Sequence, residues 1–393
     1  MKSPSSNDSF PIRPTGPNGL LFEGPEYRYT FVSPLLDAPD PMAIARRTSL
    51  QGESAPCLVI IKRVEMPPEE ERRQRAMEEV QLATRLRHPV ISQVYGLEEY
   101  QGEPHLVMEH SPGLFLETAM ETALLLGRKL APAHAVYIAA EVADALHHAW
   151  NSQGEDGRPL HVVHRAVSPM SIRLEFNGRV KLTDFGVAYS RMAGRLETPS
   201  KVLRAELAYA APEVVRRQKP DGRADLYSLG MVLLEMLSGQ YPLDSPNVNL
   251  PFRESSEVVR YNARVRAERP TWTSAGELAD RILGFGPNDV ERVARKVPEP
   301  LKRILHKALR GNPDDRHRNG GEMRDELCAW LSGQGKRFGR SRAAAELRAL
   351  EREKPAPQET HAFPIEQGVL PTPEEEATAE EEVTAKGKKG RSE

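Results

Sequence analysis

The stretch Val163-His164-Arg165-Ala166-Val167-Ser168-Pro169-Met170-Ser171-Ile172 is followed, past a turn signal at Asn177-Gly178, by Val180-Lys181-Leu182-Thr183-Asp184-Phe185-Gly186. Asn-Gly between two β-prone runs predicts a hairpin, which would bring an imidazole, a guanidinium and a carboxylate to one edge of a fold. Ala166 stands in the middle of the first run. A methyl group accepts no proton at any pH, so this loop separates the question of fold from that of chemistry. Two more charged candidates lie upstream, Lys62 in Val59-Ile60-Ile61-Lys62 and Glu79 in a charged stretch. A lone strand–helix ion pair on a surface would be worth about 1 kcal/mol or less, so the meaning of this pair depends on its context.

The elements that must position these groups follow from the pattern. Residues 1–25, rich in Pro, Ser, Gly and Asn, are expected to form a flexible leader. Strands are predicted over 27–33, 57–64, 90–91 and 105–109. A charged helix is predicted over 68–87, with Met77, Val80 and the run from Leu82 to Leu86 as its apolar face. Pro112-Gly113 then breaks the pattern, and the second half becomes helical at 132–150, 223–238, 300–309 and 321–331. This order predicts two lobes, 26–109 and 114–332, with a hinge near Glu109 to Gly113. From 333 to 393 the composition shifts to a charged, mostly disordered tail with a short helix near 342–352.

The near-cancelling charges, net −2 over 393 residues, argue against a nucleic-acid binder driven by bulk electrostatics. Cys57 and Cys328 lack metal-ligand spacing and are expected to be buried or half-buried hydrophobes in a reducing compartment. No apolar run approaches the ~20 residues of a membrane helix. The first residues lack a signal peptide's apolar core, so a cytoplasmic protein is expected.

Residues 27–332 resemble a protein-kinase domain, particularly the bacterial eukaryotic-like Ser/Thr kinases, and several ordered landmarks carry the resemblance. It implies an α+β bilobal protein-kinase fold: a small N-lobe with an antiparallel sheet and one main helix, and a larger, mostly helical C-lobe. Lys62 matches the strand lysine that pairs the α/β-phosphates, and Glu79 its helix partner. Met108 and Glu109 fall at the gatekeeper and first hinge residue, where backbone groups are offered to adenine. Asp184 matches the aspartate that holds magnesium, with Phe185 and Gly186 completing its motif. Ala211-Pro212-Glu213, Asp225 and Arg316 match bracing residues, Asp225 behind the His164-Arg165 loop and Arg316 as the partner of Glu213.

Departures from the family cluster where phosphate or a proton would be touched. Ala166 removes the general base, which typically supplies about 10²–10⁴-fold. Ser171 replaces an asparagine metal ligand, and Ser168 sits where many kinases carry a lysine. The phosphate-covering loop, Pro34-Leu-Leu-Asp-Ala-Pro-Asp-Pro-Met42, has no glycine; Pro39 and Pro41 offer no N–H, and Asp37 and Asp40 add negative charge. The bracing residues survive. The expectation is a pseudokinase that regulates or scaffolds bacterial signalling, with no intact catalytic set and a degenerate nucleotide site at Lys62, Glu79, Glu109 and Asp184. No cofactor is required on this reading, though weak ATP with Mg held at Asp184 is allowed. The expected partner is a protein, with an active Ser/Thr kinase or its substrate as candidates, and Thr198 and Ser200 as acceptor sites. A low-activity Ser/Thr kinase and a non-catalytic ATP-binding sensor are the alternatives.

Overall fold

The computed structural model describes residues 12, 14, 17–35, 41–52, 55–64, 70–154, 157–185, 207–243, 275–334 and 338–354, apart from several side chains of the first long helix and that of Ala275. They build the expected bilobal α+β fold, a sheet-based N-lobe and a mostly helical C-lobe. Six strands form the N-lobe sheet: β1 (Leu20–Glu23), β2 (Tyr27–Pro34), β3 (Met42–Ser49), β4 (Cys57–Arg63), β5 (Val94–Tyr100) and β6 (Glu103–Glu109). Every pairing is antiparallel, in the order β1-β2-β3-β4-β6-β5. The unbroken apolar run of β4 marks a strand covered on both faces. Ile60 enters the main core with Val80, Ala83 and Leu86 of helix α1 (Glu70–Arg85) and the turn after it, whereas Val59 and Ile61 face a second cluster.

That second cluster corrects one expectation. It contains Ile12, Leu21 and Tyr29, so residues assigned to a flexible leader cover the outer face of the sheet and add strand β1. A sheet with two apolar faces needs such a cover. Met77, placed on the buried side of α1 by periodicity, is 45 % exposed. Both cysteines are exposed as well: Cys57 opens β4 before the strand enters the core, and Cys328 lies on the solvent side of a C-lobe helix. Residues 90–91 form no strand; Ile91 makes a single parallel bridge to Leu182, and the strand begins at Val94.

The chain crosses to the C-lobe through residues 110–112 into β7 (Gly113–Phe115), which pairs with β8 (Ile172–Glu175), itself paired with β9 (Val180–Leu182). A Cβ at Gly113 would lie 1.9 Å from the carbonyl oxygen of Leu174, so only glycine permits this approach. Helices follow: α2 (Leu116–Leu125), α3 (Pro132–Asn151), α4 (Pro212–Val215), α5 (Gly222–Ser238), α6 (Ala275–Gly284), α7 (Pro287–Val293), α8 (Glu299–Ala308), α9 (Gly320–Ser332) and α10 (Arg340–Glu353). Helix α5 is buried from Ala224 to Leu237, as befits a helix apolar on most sides. Asp221 caps its first turn by accepting from the Arg223 N–H at 2.8 Å, and Gly239 ends it in the left-handed region at φ 75°.

The compact unit continues past the expected end of the domain, through Lys354. Leu347 and Leu350 of α10 are buried, and Phe338 packs on His134 and Tyr137 of α3. The β8–β9 turn receives the helix through Arg348, whose Nε donates to the Phe176 carbonyl at 3.0 Å, and is anchored to α3 by Tyr137, which donates to that of Gly178 at 3.1 Å. Gly178 sits at φ 85°, and a Cβ there would lie 2.0 Å from the carbonyl oxygen of Arg340. Gly178→Ala is therefore expected to cost about 1–3 kcal/mol in backbone strain and to loosen α10 first. Hydrogen exchange should then quicken across 340–353 and leave α5 slow; unchanged exchange in α10 would refute the docking argument.

Candidate active site

The loop that carries Ala166 is held from behind. Asp225, at the buried start of α5, accepts the His164 N–H with Oδ2 and the Arg165 N–H with Oδ1, both at 2.7 Å. These bonds hold Arg165 in the left-handed region at φ 66°, a conformation costing about 1 kcal/mol or more for a residue with a side chain. Burial raises the Asp225 carboxyl to about 7 despite the two bonds, which act in the opposite direction. His164 is buried too, and desolvation lowers its imidazole to about 4, leaving it neutral at pH 7. Its partners then define the tautomer: Nε2–H donates to the Thr183 carbonyl at 2.6 Å, and Nδ1 accepts the Ala166 N–H at 3.2 Å. His164 also packs edge-on against Phe185 at 4.6 Å between ring centroids. The loop is thus tied to α5 on one side and to β9 on the other.

Lys62 and Asp184 meet across the cleft. Nζ lies 2.9 Å from Oδ1, with the side chains 1 % and 8 % exposed. Asp184 stands at φ 67°, in a region that Asp tolerates better than most residues. Glu79 lies within α1, but its side chain, like Gly186, Thr198, Ser200 and the loop from Leu36 to Asp40, is outside the described residues. At the base of the C-lobe, Arg316 forms a two-pronged pair with Glu213, both contacts 2.7 Å. Arg316 donates further to the carbonyls of Arg310, Gly311 and Arg223.

Two buried cations escaped the reading of the sequence. Lys181 reaches Glu109 at 2.8 Å, tying β9 to the end of β6. Arg173, 2 % exposed, donates through Nε to the Ser111 carbonyl at 2.6 Å and through Nη2 to the Gly113 carbonyl at 2.8 Å. Its guanidinium lies 4.8 Å from the centre of the Phe115 ring. The available signal was a pair of basic residues directly opposed in the β8–β9 hairpin, Arg173 beside Lys181, inside otherwise apolar strands.

The magnesium implied by the resemblance would find few of its expected ligands in this set. Of the two expected metal ligands, Asp184 keeps its carboxylate and the asparagine position holds Ser171. Ser171 turns its hydroxyl into its own loop, accepting the Ser168 N–H at 3.0 Å and donating to the Ser168 carbonyl at 3.1 Å. Ser168 is buried, and its hydroxyl has no partner among the described residues. The Ala166 side chain offers no lone pair. Among the described residues no three His, Cys, Asp or Glu side chains cluster to hold a metal.

The described arrangement can hold a loop, a hairpin and two lobes in register. Comparison with known proteins names the family. The model for the protein kinase domain matches residues 50–321. The chain is 31 % identical over 258 residues to tyrosine-protein kinase MasK of Myxococcus xanthus, a match covering 65 % of this chain and 35 % of MasK. It is 32 % identical over 261 residues to serine/threonine-protein kinase PknB of Mycolicibacterium smegmatis, covering 65 % and 36 %. The chain spans about a third of the length of these curated relatives. The crystal structure of the Mycobacterium tuberculosis PknI kinase domain superimposes with a TM-score of 0.52 at 23 % identity, covering 79 % of this chain and 98 % of that one, a likeness of fold. With its fold and more than half its length accounted for, the chain belongs to the protein kinase domain family and is related to the bacterial Ser/Thr kinases.

Proposed function

We propose that this domain is a pseudokinase: a protein-kinase fold that acts by binding a protein, with phosphoryl transfer absent or very weak. The observation that carries the reading is the loop held intact around Ala166. Asp225, His164 and Thr183 hold its backbone as bracing residues, yet the side chain at its centre has no group that accepts a proton. Without a base, and with Ser171 bonded to its own loop, the site lacks the groups that orient the attacking hydroxyl and the second metal. The output is then an interaction, with an active Ser/Thr kinase or its substrate as the candidate partner. No helix among the described residues is long and apolar enough to cross a membrane.

The family implies ATP and magnesium, and the relatives' names, tyrosine-protein kinase and serine/threonine-protein kinase, favour a second reading, a low-activity kinase. The surviving Lys62–Asp184 pair also favours it, because positioning and one metal retain some catalysis when a base is lost. Incubation of the purified chain with magnesium and radiolabelled ATP separates the two. Asp184→Asn, which keeps the shape of the site, is the control. Label incorporation equal in the wild type and the control is expected. Incorporation above the control would establish the kinase and end the pseudokinase reading. A non-catalytic ATP sensor would instead show as thermal stabilisation by ATP without transfer, since a ligand of the native state stabilises by RT ln(1 + [L]/Kd).

A further inference from the structure

The residues that link the lobes present their carbonyls to a side chain of the protein itself. Ser111 and Gly113 flank the crossing from β6 to β7, the segment whose backbone groups would meet a nucleobase in this family. Arg173 projects from β8, directly opposite Phe115 of β7, and donates to both carbonyls. The guanidinium is planar and carries several N–H donors in a fixed fork, which suits two acceptors in one plane. Its burial is nearly complete, at 2 % exposure, and the Phe115 ring lies along it. A charged group removed from water is costly unless its donors are used, so these bonds are strongly held.

We propose that Arg173 is a built-in occupant of the nucleobase end of the cleft. Its N–H groups satisfy the Ser111 and Gly113 carbonyls on the segment that would border the base, and its bulk fills the space beside them. The proposal goes beyond the loss of transfer, since it concerns binding of the base, and it rests on the same assignment of residues 109–113 as the hinge. An entering adenine would have to displace a buried cation and satisfy its donors elsewhere. Lys181 and Glu109, paired at 2.8 Å nearby, keep the crossing segment closed against β9 and so favour the same arrangement.

The probe is adenosine, which tests the base site without involving the phosphate loop. Calorimetry or a thermal-shift series on the full chain should show no binding to the wild type at millimolar adenosine. Arg173→Leu, which frees both carbonyls and leaves an apolar wall, should bind at least about tenfold more tightly, a gain of about 1.4 kcal/mol. Arg173→Met, closer in volume, should gain similarly and serves if the leucine variant does not fold. Equal binding of adenosine by the wild type and a folded variant, or no gain in either folded variant, would overturn the proposal. If neither variant folds, the Arg173 Nε–H resonance of the wild type decides: unmoved by millimolar adenosine, it supports the occupant, and shifted together with the 109–113 amides, it refutes it. Transfer from magnesium–ATP by a variant that binds adenosine would leave the occupancy standing and show that the loop around Ala166 is not what limits transfer.

Discussion

Arg316→Ala is expected to destabilise the domain by about 3–5 kcal/mol, read as a lower urea midpoint at unchanged slope. The Arg316 side chain is 0 % exposed and meets Glu213, 7 % exposed, through two 2.7 Å contacts. Truncation removes the cation and leaves a buried carboxylate at the start of α4. It also strips donors from the carbonyls of Arg310 and Gly311, close by in the chain, and of Arg223, 93 residues away. The guanidinium packs against Tyr227 of α5 as well, at 4.9 Å from its ring centre, so the loss is one of contact area and charge together. Arg316→Lys should recover only part of the stability, because an ammonium cannot reproduce a two-pronged pair. A loss below about 1 kcal/mol for Arg316→Ala would mean that the pair is as weak as a surface bridge.

The second large effect concerns the cleft. Lys62→Met should cost about 3–5 kcal/mol, because it removes the ammonium 2.9 Å from a carboxylate that is only 8 % exposed. Adding Asp184→Asn should recover most of that loss. Asparagine keeps the shape and the left-handed backbone at φ 67° while discarding the charge. A double-mutant cycle in urea measures the coupling directly. Strong coupling identifies the pair as a brace between the lobes. Strictly additive losses would show that the two groups act independently in the fold, whatever their distance.

Much of the fold was legible because its signals are local. The β4 run ending in Lys62 and the Asn177-Gly178 turn both announce themselves within a few residues. The apolar helices at 132–151 and 222–238 do the same. The missing proton acceptor was equally legible, since Ala166 can be nothing else. What escaped depends on partners distant in sequence. The basic pair in the hairpin marks Arg173 as unusual but does not foretell its partners, because the carbonyls that satisfy it belong to Ser111 and Gly113, 62 and 60 residues away. Leu20–Glu23 is too short to show an alternation, and it becomes a strand only because β2 offers it an edge. Met77 fell on the expected apolar side of α1, but the helix buries Val80 and Ala83 against the sheet and turns Met77 outward.

The docking of α10 also imposes an order in time. A ribosome releases the β8–β9 turn long before it makes the helix that covers it, since Arg348 follows Phe176 by 172 residues. At ordinary synthesis rates that interval is on the order of ten seconds or more. During it the nascent C-lobe displays the apolar ground later taken by Phe338, Leu347 and Leu350. The finished fold therefore closes from its far end, and a chaperone meeting the growing chain would find its binding surface beside the hairpin of Asp184.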